Sequence, residues 1–267
     1  MGPEIRVLER LGYRAPLGVL AEDGVTGAGV TDGLFATAWR FDDPATPYVA
    51  QRSPVSGILG FGRLPVPWQS THAVVPPGTP VTWPATTPVT YLVRVEDTLD
   101  RYLPVLVRAD VPAAAPVTVH LSSAPSRPAQ AGFGIVRGEV HAKADGRALP
   151  WSLVRVDTGT TVSQTVADQR GRFVLQLPYP EALPALAGSP PSGPGLSSVV
   201  WPVTVTVRCQ PGVLTFSGPL PTDPPELASI TGQAAAQIFD GGANHSSLAA
   251  TLAFGTPLVL ALTAVPA

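Results

Sequence analysis

Four histidines, His72, His120, His141 and His245, are the side chains of this 267-residue sequence best suited to metal or acid–base chemistry. A histidine site needs partner ligands at helical or hairpin spacing, and no H-x-x-E or H-E-x-x-H pattern surrounds any of the four. His141 comes nearest, with Glu139 and Asp145 close in sequence, but Asp145 precedes Gly146 and is explained by an Asp-Gly turn. Asp42, Asp43, Asp97, Asp100 and Asp168 would suit calcium if they converged, yet they show no D-x-D-x-D spacing and are read as turn residues. His120 beside Ser122 and Ser123 lies in one short strand running into a Pro/Ser segment, whereas catalytic triads are assembled from distant segments. No G-x-S-x-G elbow is present. The run Gly57-Ile58-Leu59-Gly60-Phe61-Gly62 lacks the Lys-Ser/Thr pair and the helix of a phosphate loop, so it is expected to be a strand with close backbone packing. Cys209 is the only cysteine, which excludes an internal disulfide. Asn244-His245-Ser246 is a formal glycosylation sequon without a secretory signal to give it effect. The expectation is no catalytic residue, no cofactor and no metal.

Recognition is a better use of the remaining features. Trp39, Trp151 and Trp201 sit in strand-like runs and are expected to fill cores. Trp68 and Trp83 flank a loop carrying Pro76, Pro77 and Pro80, and are candidate exposed anchors for a protein partner or a carbohydrate. The apolar tail from Leu248 to Leu262 is either core of its own sandwich or an edge strand; the second case makes Leu252, Phe254, Leu258 and Leu260 candidate partner-binding residues, and self-association or a partner subunit is expected. The net charge of −2 offers no basic footprint for nucleic acid, and no apolar run is long enough for a membrane span. The N-terminus MGPEIRVLERLGYRAP lacks an apolar signal region, which gives a cytoplasmic expectation, alone or as part of an assembled particle.

The elements that would position these residues are strands. Apolar residues make up 45% of the chain and charged residues 13%, ample for real cores. The 32 prolines and 26 glycines fall between short Val/Leu/Thr runs, the distribution of many strands and tight turns. In Val166 to Pro180 a turn at Asp168-Gln169-Arg170-Gly171 feeds a strand in which Phe173, Leu175 and Leu177 share a face, and Pro178 ends it. Tyr91, Val93 and Val95 alternate with Leu92, Arg94 and Glu96 as in a half-buried antiparallel strand. Residues 4–11 are read as a strand, and residues 122–132, rich in Pro, Ala and Ser, as a linker. Thr222 or Asp223 would cap a short helix in PPELASITGQAAAQIF, followed by one or two closing strands.

The first half repeats the second. SPVSGILGFGRLPV aligns with ADQRGRFVLQLPYP, Gly57 opposite Gly171 and Leu59 opposite Phe173. Each copy is then followed by a long apolar strand, Arg101 to Pro112 and Ser198 to Cys209. An internal duplication is therefore expected, with one strand order in both halves.

Gly138, Gly146, Val154 to Val156, Thr165, Asp168, Gly171, Phe173 and Leu177 carry a resemblance to the carboxypeptidase regulatory-like, or transthyretin-like, β-sandwich domain. That resemblance covers Val136 to Pro178 and implies a scaffold without the peptidase. RYLPVLVRADVP, SAPSRP, FGIVRGEV and ADQRGRFVLQLPYP also look similar to a protein encoded with phage-tail-like contractile injection systems, which would imply a structural or accessory subunit. The fold expected is all-β: two tandem transthyretin-like or immunoglobulin-like β-sandwich domains with a short C-terminal helix and closing strands. Residues 1–121 form the first, 122–132 the linker and 133–267 the second. The function expected is a non-catalytic structural or assembly subunit, with a carbohydrate-binding or adhesive module as the alternative.

Overall fold

The computed structural model describes residues 15–65, 87–180 and 199–267. The N-terminal strand expected at residues 4–11 lies outside them. The first unit contains β1 (Gly18–Asp23), β2 (Leu34–Arg40), β3 (Tyr48–Val49), β4 (Gln51–Arg52), β5 (Leu59–Gly60), β6 (Val89–Asp97), β7 (Val105–Val111) and β8 (Val117–Leu121). They form two four-stranded sheets, ordered β4-β5-β1-β8 and β3-β2-β6-β7. Between them lies a core that includes Val19, Ala36, Phe61, Tyr91, Val93, Val107 and Val119. Tyr91, Val93 and Val95 do face inward from β6, as their alternation requires.

The second unit contains β9 (Phe133–Ala142), β10 (Leu153–Asp157), β11 (Val162–Val166), β12 (Arg172–Pro178), β13 (Val200–Arg208), helix α1 (Leu227–Thr231), β14 (Gln237–Phe239), β15 (Asn244–His245), β16 (Leu248–Ala253) and β17 (Leu258–Val265). Its sheets are ordered β12-β9-β17-β14-β15 and β11-β10-β13-β16, around a core built on Val136, Phe173, Leu175, Val205, Leu252 and Leu262.

The two units share one topology. The first strand pairs antiparallel with the strand that follows the later turn (β1 with β5, β9 with β12) and parallel with the last strand (β1 with β8, β9 with β17). The opposite sheets match as β3-β2-β6-β7 and β11-β10-β13-β16. Hydrogen bonds repeat as well. The amide of Gly27 bonds to the carbonyl of Asp23 and that of Gly146 to Ala142, both glycines at positive φ. In the later turn Ser53 Oγ accepts the amide of Ser56, and Asp168 Oδ1 accepts that of Arg170. Gly57 and Gly171 close these turns with φ of 72° and 75°.

The strand correspondence differs from the sequence expectation by one place. Ser198 to Cys209 contains β13, whose counterpart is β6, not β7; the counterpart of β7 is β16. A long insertion between β13 and β16 moved the equivalent strand out of linear register. The helix inside that insertion is also shorter than expected. Its N-cap is Glu226, without a side-chain cap, and the chain returns to strand at Gln237. Asp223 is not the cap because its carboxylate is used elsewhere, as described below.

One packing detail gives a direct test of the parallel β9–β17 pair. A methyl group on Gly138 would lie inside the van der Waals envelope of the Leu260 carbonyl on β17. Gly138→Ala is therefore expected to cost about 2 kcal/mol, as overpacking does, seen as a lower urea midpoint with an unchanged slope. An unchanged midpoint would show that the two strands can separate at no cost.

Candidate functional site

The residues with the most constrained chemistry gather where the two units meet. They meet through equivalent ends: the loop after β6 in the first unit, and Trp151 and the Asp168–Gly171 turn in the second. Three devices hold this junction together.

The first is a small third core of Leu103, Ala124, Trp151, Leu153, Val166 and Ile230, drawn from both units. The second is the segment expected to be a linker. The Leu103 amide bonds to the Ser122 carbonyl and the Ala124 amide to the Arg101 carbonyl, which lays the segment along the β6–β7 loop. Further on, the buried Gln176 of β12 accepts the Gln130 amide and donates to the Pro128 carbonyl. Arg127, in the middle, is buried against Asp23, with side-chain exposures of 4% and 7%. Its guanidinium reaches both Asp23 oxygens, donates to Ser123 Oγ at 2.8 Å and stacks over the Tyr102 ring at 4.6 Å. Tyr102 OH also donates to Asp23, at 3.0 Å. A charge this deep is tolerated only when every hydrogen-bonding position is used.

The third device is the insertion between β13 and β16. Residues 210–232 leave the second unit and lie as a strap on the outer face of β6 and β7. Glu226 forms a parallel bridge with Leu106 and accepts two 2.7 Å bonds from Arg108. Asp223 accepts Arg94 at 2.6 Å and also the Leu220 amide. The alternation of β6 and β7 assigns Leu92, Arg94, Leu106 and Arg108 to solvent, but Leu92 and Leu106 are buried on this face.

The electrostatics follow from these partners. Burial is the largest influence on Asp23 and raises its pKa. The Arg127 and Val25 N–H bonds, the Arg127 charge and Tyr102 together outweigh it, so the carboxyl ends below its ordinary value. Asp97 and Glu226 behave alike: burial raises each, while Arg101 and Arg108 respectively pull it below the usual range. Burial pushes the Tyr102 phenol up to about 12. All three depressed carboxyls bind protons more readily in the unfolded chain. Their stabilisation is thus complete above the unfolded values of about 4 and is lost as pH falls through the folded ones. Melting temperature is expected to be flat from about pH 8 to 5 and to drop below about pH 4. A fall beginning near pH 6 would point to histidine instead.

Beside the third core, the junction opens into a groove of about 550 Å³. Asp100, Tyr102 and Ser126 line one wall, with Trp151, Gln169, Arg170 and Thr222 on the other. Asp97 and Asp168 shape its two turns. Each carboxylate holds an arginine four residues on, Arg101 or Arg172, together with nearby backbone amides.

No protein-family model matches the chain, and no curated protein matches it. Among solved structures, the TIE protein of Bacillus anthracis is similar over 94% of this chain and 33% of its own, at 12% identity and a TM-score of 0.28. The chain thus spans about a third of that protein's length. The shaft pilin SpaA of Lactobacillus rhamnosus GG is similar over 94% of this chain and 97% of its own, at 11% identity and a TM-score of 0.26. A streptococcal ancillary pilin is similar over 94% and 62%, at 10% identity and a TM-score of 0.25. Overlaps this loose identify no shared function.

The residues singled out by sequence fall elsewhere. Trp68, Trp83 and His72 lie outside the described residues. Leu252 and Leu260 are core residues of the second unit, with exposures of 0% and 9%, and are corrected here from partner-binding to packing. The reason is topological: β16 and β17 are strands common to both units, and β17 is paired on both sides, with β9 and β14. Phe254 and Leu258 are half-buried, Phe254 against the Tyr179 ring at 5.0 Å. β16 is an edge of its sheet. Trp39, Trp151 and Trp201 are all buried. His120 contacts Glu22 and His245 contacts Asp240, while Ser123 is taken by Arg127. Among the described residues, no three His, Cys, Asp or Glu side chains form a metal-holding group, and no helix is long and apolar enough to cross a membrane. Sequence reasoning passed over Arg127 and Glu226 and read Asp223 only as a helix cap; an arginine inside SAPSRP and acids inside a Pro-rich run were the signals available.

Proposed function

We propose that this chain is a non-catalytic structural subunit, a stiff two-sandwich spacer within a larger protein assembly. The observation that carries the proposal is the junction. A tandem of independent binding modules needs only a linker, whereas here an apolar core, a buried ion pair and a strap fasten the units together. Joined units normally move relative to each other unless their interface is large and apolar. Fastening of this kind suits a part that transmits force or fixes a distance. The residues flanking 66–86 and 181–198 stand at the two outer ends, between β5 and β6 and between β12 and β13, so the spacer would present both ends to neighbours.

The resemblances in RYLPVLVRADVP and ADQRGRFVLQLPYP extend the proposal to an accessory component of a phage-tail-like contractile injection particle, built in the cytoplasm. Affinity purification from the native source with mass spectrometry tests it. Sheath and tube proteins enriched with the tagged chain would support the particle assignment. A chain recovered alone, at its own mass on a sizing column, would defeat the assembly role altogether.

A further inference from the structure

The outer face of the β11-β10-β13-β16 sheet has a covered counterpart in the first unit. There the face belongs to β6 and β7, and the strap lies on it. Arg94 and Arg108 hold Asp223 and Glu226, and Glu226 bridges the free edge of β7 at Leu106. The register of the repeat follows from Gly33 and Trp151, both at positive φ and equally spaced ahead of the inward-facing Ala36 and Val154. Ala36 pairs with Val95 and Val154 with Val207, which sets the pair Val93–Val107 against Val205–Leu248. Arg94, Arg108 and Asp110 then correspond to Thr206, Ala249 and Thr251. The second unit thus keeps the strands and lacks both arginines that hold the strap.

Among the described residues, β16 has β13 as its ladder partner on one side and none on the other. The Phe254 amide bonds to the Val199 carbonyl, so by antiparallel alternation Trp201–Leu252 and Val203–Ala250 are hydrogen-bonded pairs. Pro202, opposite Thr251, agrees with this, because it has no N–H to give. The N–H and C=O groups of Ala249 and Thr251 therefore point away from β13, to the open side. Other edges are protected by being short: β3, β4 and β15 have two residues each. β16 has six residues, LAATLA, with no charge and no proline to turn a second strand away. The exposed side chains on its outer face, Ala249 and Thr251, and those of the adjoining Val200, Pro202 and Thr204, are small and uncharged.

We propose that β16 pairs antiparallel with β16 of a second copy of this chain, joining two four-stranded sheets about a two-fold axis. An identical strand is the occupant these residues fit. Two-fold pairing sets each edge against itself, and a strand without charge meets no like-charge pair there. An acidic segment like the strap would find neither of its arginines. The pairing is separate from the spacer role, which asks only for neighbours at the two ends. Sedimentation velocity of the full chain over a concentration series tests it, together with hydrogen exchange at the Ala249 and Thr251 amides. A species of twice the 27.6 kDa chain mass is expected, with both amides slowed as it forms. Thr251→Lys places like charges across the new pair and should weaken association about tenfold or more. Thr204→Lys, on the same face but one strand in from the edge, should leave association unchanged. A chain that keeps its own mass at every concentration would overturn the proposal. So would association unmoved by Thr251→Lys, or weakened equally by Thr204→Lys, the mark of stacked faces instead of paired edges.

Discussion

Arg127→Ala is expected to destabilise the protein by about 3–5 kcal/mol, the cost of leaving one member of a buried ion pair alone. The change removes a guanidinium that is 4% exposed and strips Asp23 of its ionic partner on both oxygens, leaving the Tyr102 hydroxyl and the Val25 amide. At roughly 2–4 °C per kcal/mol for a chain approaching this size, the melting temperature should fall by about 6–20 °C. The Asp23 carboxyl should lose its depression, because burial, the largest influence on it, then acts with less opposition. Asp23→Asn in the Arg127→Ala background is therefore expected to recover part of the loss, since a neutral amide is cheaper to bury than an unpaired carboxylate. Thermal denaturation of the wild type and the two variants at pH 7 checks both points. A loss under 1 kcal/mol would mean that residues 122–132 behave as a linker and not as part of the interface.

The second large effect belongs to the strap. Replacing Asp223 and Glu226 together by alanine removes the anchors of Arg94 and Arg108, and also the contact between Glu226 and Ser217. Hydrogen bonds to charged groups contribute about 1.5–3 kcal/mol each when buried, so the double change is expected to cost about 3–5 kcal/mol. Its signature should differ from that of Arg127→Ala. The core of neither sandwich is touched, so the loss should appear as reduced cooperativity, one calorimetric transition separating into two. The amide of Leu106, which lies beside Glu226 of the strap, should exchange faster before either unit unfolds. A single transition at the wild-type temperature would show that the strap rests on the surface without coupling the units.

How much of this was legible in the sequence depends on the range over which each feature acts. The Asp168–Gly171 turn and the inward face of β6 rest on neighbours within a few residues, and both took the expected form. The duplication was legible through its turns, because glycine at positive φ leaves a residue-type mark; its strand equivalence slipped where the insertion broke linear spacing. The junction was not legible. Arg127 meets Asp23 across 104 residues and Asp223 meets Arg94 across 129, distances over which alternation and turn chemistry carry no information. Leu92, Leu106 and Gln176 stand at positions that periodicity gives to solvent yet are buried, with the strap bridged to Leu106 and the segment 122–132 bonded to Gln176. Leu252 and Leu260 were misassigned for the converse reason. An apolar terminal run looks the same whether it lies at an open edge or completes two sheets.

The central claim is that the two sandwiches move as one body. Residual dipolar couplings of backbone amides in weakly aligned full-length protein measure this directly. Couplings from the strands of residues 18–121 and of residues 133–265, fitted separately, are predicted to return one alignment tensor with the same magnitude and orientation. Two tensors of different magnitude would show units that reorient independently, and would contradict the account of the junction and the spacer role built on it.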